Sequence, residues 1–239
     1  KKTKTSIEEC ARRMRYDFFR QIAKREKCRS FVLAHTKDDQ AETVLMRVLQ
    51  GTGLRGLQGI REKFTKGCVT WARPLLGFTK KEILEFLHAA KFAYRKDKSN
   101  DSVEFLRNRI RLELIPGLQR DFNPRVVEAL ARIPTIVAGE SSLIELLEKK
   151  AWKGTFKKRR GGKVELRRSV FLKLFPALQF RVVEKALKLL DKQSGLSFEA
   201  WERLRLGLNR PRFCSSLPKD IDFELTSKNV TIYKKRSRA

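Results

Sequence analysis

The chain reads as an α/β fold: a sheet of parallel strands flanked by helices, then a mainly helical second domain with a small β element. Three observations predict this. Short apolar strands at residues 31–34, 69–72 and 92–94 alternate with amphipathic helices, the rhythm of a parallel sheet covered by helices. After Asn123-Pro124 the texture becomes helical. The strand at 31–34 runs into His35 and a helix headed by Asp38, Asp39 and Glu42. Those polar groups stand at the carboxyl end of a strand, where open α/β sheets bind ligands.

Residues 1–5 are a basic lead-in, and Ser6 with Glu9 has the spacing of a capping box. The helix that follows carries Ile7, Cys10, Met14, Phe18 and Ile22 at helical period, and these are expected inside. Arg12 and Arg15 share a neighbouring face. The helix over 38–50 has the apolar stripe Ala41, Val44, Leu45, Val48 and Leu49, with Gly51 where a C-terminal cap belongs. Thr79 and Glu82 form a second capping box, opening a helix to residue 90. Residues 98–101 read as a turn, and 103–114 as a helix that Pro116 and Gly117 terminate. Asn123 caps the next helix with Pro124 in its first position. Pro134 is expected to break or kink that run, with a second helix reaching residue 150. Residues 157–163 are a basic loop, 176–191 and 198–208 are helices, and 223–225 with 230–233 form a hairpin turning at 227–229. The boundary falls at 119–123, dividing the chain into domains 1–120 and 121–239.

Lys and Arg number 55 against 27 Asp and Glu, a formal net charge of +28 and a pI near 10.5. Such an excess is self-repelling, and a polyanionic partner explains it, nucleic acid before a membrane surface. No apolar run approaches the roughly 18 residues of a membrane span, and the N-terminus lacks a signal-peptide core. Cys10, Cys28, Cys68 and Cys214 form no C-x-x-C pair. That argues against structural zinc, iron–sulfur ligation and a redox pair, and for reduced thiols in a cytoplasmic protein.

Asp38, Asp39 and Glu42 lie on one flank of their helix. A single acid there would be ordinary capping; three carboxylates beside His35 exceed that need. Such a cluster next to a nucleotide's phosphates calls for a bridging Mg2+, and a carboxylate could instead hold the ammonium of an amino acid. The segment 51–57 closes the helix with a glycine-rich loop carrying Arg55. Arg107 and Arg111 are four apart with Asn108 beside them, either a solvated basic face or phosphate ligands. His88 has no assigned role.

The run His35-Thr36-Lys37-Asp38-Asp39-Gln40-Ala41-Glu42-Thr43 closely resembles the H-x-x-D-D-Q-x-E-T signature of bacterial tRNA(Ile)-lysidine synthetases, which are tRNA-modifying ATP pyrophosphatases. Residues 10–16 look like the family's A-R-x-x-R-Y helix, and Arg73-Pro74-Leu75-Leu76 resembles its R-P-L-L segment. Asp97-Lys98-Ser99-Asn100 with Arg107-Asn108-Arg109-Ile110-Arg111 is similar to its D-x-S-N…R-N-x-(L/I)-R element. The likeness covers residues 1 to about 120; the remainder resembles the family's first C-terminal domain in pattern only.

The resemblance implies a Rossmann-like domain of the PP-loop ATP pyrophosphatase type. It implies a ligase that uses ATP to adenylate the wobble cytidine of the CAU-anticodon isoleucine tRNA, then joins lysine to carbon 2 of the base. Codon reading thereby changes from AUG to AUA. The carried-over catalytic group is Asp38, Asp39, Glu42 and His35, with Mg2+ on Asp38 and Asp39. ATP phosphates fall to Arg12, Arg15, Arg107, Asn108 and Arg111. The tRNA falls to Arg55, Lys157, Lys158, Arg159, Arg160 and Lys163, and to the basic tail at 234–238. A homodimer is an open option. The family's S-G-G-x-D-S phosphate loop has no counterpart here: the sequence opens downstream of its place, so residues 1–239 alone are not expected to turn over ATP. Two alternatives stand beside the ligase: a tRNA thiolase of the same superfamily, and a catalytically inert tRNA-binding protein.

Overall fold

The structure, a computed structural model, describes residues 7–95, 105–191 and 194–235, without the side chains of 7–9, 11, 12 and 66. The predicted cap at Ser6, the turn at 98–101 and the end of the basic tail lie outside these residues. The chain divides into two compact units, Lys1–Ser141 and Ser142–Ala239.

In the first unit α1 (Ile7–Arg25) precedes β1 (Ser30–Val32), α2 (Lys37–Leu49) and the short α3 (Leu54–Leu57). Then come β2 (Lys63–Lys66), β3 (Val69–Ala72), a 3-10 turn at Pro74–Gly77 and α4 (Lys80–Ala89). The three strands are ordered β1-β3-β2. β1 runs parallel to β3, while β2 is antiparallel to it through a turn at Gly67 and Cys68. The sheet is therefore mixed and not wholly parallel as expected. β2 escapes the sequence reading because Phe64 is its one apolar residue. The parallel pair matters most, because Val32 aligns with Ala72 and the chain leaves both strands at the same end.

Trp71 is the hub of this sheet's packing, with the rings of Tyr16, Phe19, Phe31 and Phe64 centred 4.9–6.0 Å away. Tyr16, Phe19 and Ala23 therefore form the inward face of α1, while Met14 and Phe18 are exposed at 66% and 57%. The expected stripe is displaced because the aromatic rings offer the larger area to bury. In α2, Ala41 and Val44 are fully buried, but Val48 and Leu49 face outward. Ala41 packs with Ile110, Ile115 and Val127.

Helix ends follow local chemistry. Thr36 and Asp39 form a capping box on α2, and Thr79 and Glu82 form the expected one on α4. Gly51, at φ +64, ends α2 as foreseen. Lys91 ends α4 the same way at φ +55, and Phe92 N–H closes onto Leu87 C=O. Residues 92–94 are spent leaving that helix and make no strand.

Pro116 and Gly117 do not end their helix. α5 (Leu106–Arg109) passes through a π-helical stretch, Ile110–Leu114, into α6 (Ile115–Asp121). The wide turn comes just where Pro116 has no N–H to give, so continuing costs little. Asn123 caps α7 (Val126–Thr155) from Oδ1 to Arg125 N–H. Pro134 lies inside α7 without breaking it, and the two units divide within this helix, later than the expected 119–123.

The second unit holds far more sheet than predicted. β4 (Phe156–Arg160), β5 (Lys163–Arg167), β6 (Phe213–Leu217), β7 (Ile221–Leu225) and β8 (Asn229–Lys234) form one antiparallel sheet ordered β4-β5-β8-β7-β6. Only β7–β8 is legible as a hairpin. The basic "loop" at 157–163 is itself a hairpin, turning on Gly161 and Gly162 at φ +55 and +71, the left-handed pair that a type I′ turn requires. β6 and β7 are joined through Lys219 and Asp220, both left-handed without glycine, so no turn signal marks them. The sheet's inner residues Val164, Leu166, Phe223, Leu225, Val230 and Ile232 meet α8 (Arg168–Phe171), α9 (Pro176–Leu190) and α10 (Phe198–Gly207) in one core.

Phe171 is fully buried in that core. Phe171→Ala should lower the unfolding free energy by about 3–5 kcal/mol, read by urea denaturation. A loss below about 1 kcal/mol would mean the core is not packed as described.

Candidate functional site

The site grows from the shared end of β1 and β3. Beyond β1 the chain reaches His35, and Thr36 then caps α2. The Asp39 carboxylate closes the cap, with Oδ2 accepting from Thr36 N–H at 2.9 Å and from its hydroxyl at 3.1 Å. A cap of this kind contributes about 1 kcal/mol. Asp39 thus has one oxygen turned back to its own helix and one turned outward.

The outward oxygen meets Arg107. Arg107 Nη2 donates to Asp39 Oδ1 at 2.8 Å, and its Nε donates to Glu42 Oε2, also at 2.8 Å. Arg111 donates through Nε to Glu42 Oε1 at 2.5 Å and through Nη2 to Oε2 at 3.0 Å. Glu42 is 1% exposed, and the two arginines are about a quarter exposed. Two carboxylates and two guanidiniums therefore cancel charge within one network. The Glu42 hydrogen bonds hold the Arg111 guanidinium above its ordinary pKa; burial opposes this and is outweighed, and the charges of Glu42, Asp39 and Asp38 add to it.

The other signature residues also have partners. Asp38 Oδ2 accepts from Lys80 N–H at 2.7 Å, capping the neighbouring α4. Gln40, buried, grips a single backbone position: Oε1 accepts from Ile60 N–H at 2.6 Å and Nε2 donates to Ile60 C=O at 2.9 Å. This clamp anchors the glycine-rich loop that carries Arg55. Beside it Gly59 sits at φ +57, where a Cβ would come within 2.5 Å of Gln40 Oε1 and 2.9 Å of the Pro134 ring. His35 Nδ1 accepts from Arg73 Nε at 3.2 Å.

Of the residues expected at an ATP site, Asp38, Asp39, Glu42, Arg107 and Arg111 are tied into one region, with His35 at the strand end and Asn108 half-buried beside Arg107. Arg15 is exposed on α1, and the Arg12 side chain lies outside the described residues. Arg55 is exposed. Lys157, Lys158, Arg159, Arg160 and Lys163 stand on the β4–β5 hairpin in the second unit. The expectation that Asp38 and Asp39 form a Mg2+ seat meets a different arrangement. Among the described residues no three His, Cys, Asp or Glu side chains gather as metal ligands, and both Asp39 oxygens already accept strong donors. Thr36, Gln40 and Arg73 are the contributors that sequence reasoning missed. Arg73 stood in the quoted R-P-L-L segment, and its burial was the missing signal.

Glu42→Gln removes the charge that both arginines answer. It should lower the unfolding free energy by about 2–4 kcal/mol, somewhat less than for a fully buried pair because the arginines are partly solvated. Asp38→Asn keeps an acceptor for Lys80 N–H and should cost about 1 kcal/mol or less. Urea unfolding of the two variants checks the ranking, and equal losses would contradict it.

A family model described as a PP-loop domain matches residues 1–118. The tRNA(Ile)-lysidine synthase of Clostridioides difficile is 34% identical over 183 residues, covering 77% of this chain and 39% of that protein. The one from Thermosynechococcus vestitus is 36% identical over 199 residues, covering 83% and 56%, and the one from Geobacter sulfurreducens is 42% identical over 146 residues, covering 61% and 30%. The chain thus spans about a third to just over half the length of these relatives. By these matches residues 1–118 are similar to a PP-loop domain, and the chain is similar to tRNA(Ile)-lysidine synthases over most of its own length.

Proposed function

We propose that this chain is part of an ATP-dependent tRNA-modifying ligase that makes lysidine in the CAU-anticodon isoleucine tRNA. One observation carries the reading. The signature His35 to Glu42 is gathered at the carboxyl ends of two parallel strands and locked there by Arg107 and Arg111. The wobble cytidine oxygen attacks the α-phosphorus of ATP and pyrophosphate leaves. The lysine amine then attacks carbon 2, the bond from that carbon to the oxygen breaks, and AMP departs with the oxygen. Arg107 and Arg111 balance Asp39 and Glu42, and their part is to fix the acidic helix head. Of the expected Mg2+ ligands Asp38 and Asp39, Asp39 is a poor fit, because both its oxygens already accept from Thr36 and Arg107, and Asp38 has one oxygen on Lys80 N–H.

The second unit offers tRNA a basic hairpin. On β4 all residues after Phe156 are exposed, and β4 is an edge strand of its sheet. Lysines on an edge also prevent strand-to-strand aggregation, but Arg159 and Arg160 add forked donors suited to phosphates. No helix among the described residues is long and apolar enough to cross a membrane.

The test is transfer of labelled lysine to this tRNA by the full-length protein that contains the chain, with ATP and Mg2+, the label being located by nuclease digestion and mass analysis. Label on the wobble cytidine, lost in Asp39→Ala, is expected. Tight tRNA binding with neither label nor pyrophosphate release would instead support the inert binder. Neutralising Lys157, Lys158, Arg159, Arg160 and Lys163 should weaken tRNA binding and flatten its salt dependence by roughly 0.7–0.9 log unit per lost phosphate contact. ATP affinity should not change.

A further inference from the structure

Arg73 leaves β3 and is 4% exposed, yet among the described residues no carboxylate answers it. Its guanidinium is spent on a carbonyl, a hydroxyl and an imidazole. Nη1 donates to the Arg61 carbonyl at 2.6 Å, Nη2 to the Tyr16 hydroxyl at 3.3 Å and Nε to His35 Nδ1 at 3.2 Å, and the cation lies 5.1 Å from the centre of the Phe64 ring. Burying a charge without a counter-charge is costly, and packing alone does not ask for it, because an apolar residue could fill the same space against Phe64 and Tyr16. What only a cation with fixed donors supplies is control of the imidazole.

We propose that Arg73 is a positioning residue for His35. It holds the ring neutral, with the lone pair on Nδ1 and the proton on Nε2, so that His35 meets the nucleotide as a hydrogen-bond donor and not as a proton-exchanging base. This rests on the proposed reading that His35 touches ATP. The physics is direct: a donor on Nδ1 excludes a proton there, and a fixed positive charge beside the ring opposes a second one. Among the described groups, Arg73 from β3 meets His35 Nδ1 and also reaches the Tyr16 hydroxyl from α1; Lys37, Asp38 and Asp39 follow at the head of α2, where Asp38 accepts from Lys80 N–H and Asp39 is answered by Arg107. The parallel pairing of β1 with β3 brings the two residues to one end of the sheet.

The chain has two histidines, so its ring signals are readily assigned: His35→Ala identifies one, and the other is His88. With nitrogen-15-labelled histidine, NMR spectra are recorded at about pH 5.5, roughly one unit below the ordinary histidine value. His35 should stay neutral with its proton on Nε2. An imidazolium or an Nδ1-protonated ring at His35 overturns the proposal, and this reading needs no variant. Arg73→Gln, and the milder Arg73→Lys which lacks the forked donor, should release His35 to take up a second proton at this pH. A folded Arg73→Gln protein with an unchanged His35 signature overturns it. In the full-length protein the same variants should lower kcat/KM for ATP by roughly 10–100-fold. The ring signature is read without turnover, so absent lysidine formation with a neutral His35 removes the proposed reaction and leaves the role of Arg73 standing.

Discussion

The Glu42 carboxylate is the constraint around which the first unit is arranged. A carboxylate removed from water is tolerable only when cations and donors replace its hydration, and Arg107 and Arg111 do so on both oxygens. Glu42 sits one turn into α2, and its partners sit where a helix loosens into a π turn. The same helix buries Ile110 and Ile115 against Ala41, so apolar packing and the ion pairs fasten the same two segments. Neither would suffice alone. The apolar cluster is small, and the charges without it would stay in water.

From that anchor the rest of the signature acquires separate tasks. Asp39 ends its own helix with Thr36, Asp38 begins a different helix through Lys80, Gln40 pins the glycine-rich loop at Ile60, and Ala41 is small enough to let α5 and α6 approach. A motif that looks like a list of ligands is, in large part, a set of struts. What these struts fix in place is the head of α2 and the strand end that leads into it.

Legibility in the sequence tracks how local the physics is. The cap at Thr79, the C-terminal glycine at 51, the parallel strand at Val69–Ala72 and the hairpin β7–β8 are each settled within a few residues, and each stands where expected. The acidic cluster was visible at once, but its neutralisation was not, because Arg107 lies 65 residues from Glu42. The apolar period of α1 pointed to Met14 and Phe18, while the real face was chosen by Trp71 across the sheet. β5 was hidden because its burial alternates under charged neighbours, and β6 because Lys219 and Asp220 turn without glycine. Arg73 reads as one more basic residue in a basic chain until its surroundings are seen.

The separation of Glu42 from its partners also orders events at the ribosome. α2 is synthesised well before Arg107 and Arg111 exist, 65 and 69 residues downstream. Until then Glu42 is better left in water, and the acidic helix head has only its caps to shape it. This network is thus a late product of translation, closed by a long-range contact whose loop entropy falls due all at once. A nascent chain released anywhere before residue 111 would carry the full signature and no site.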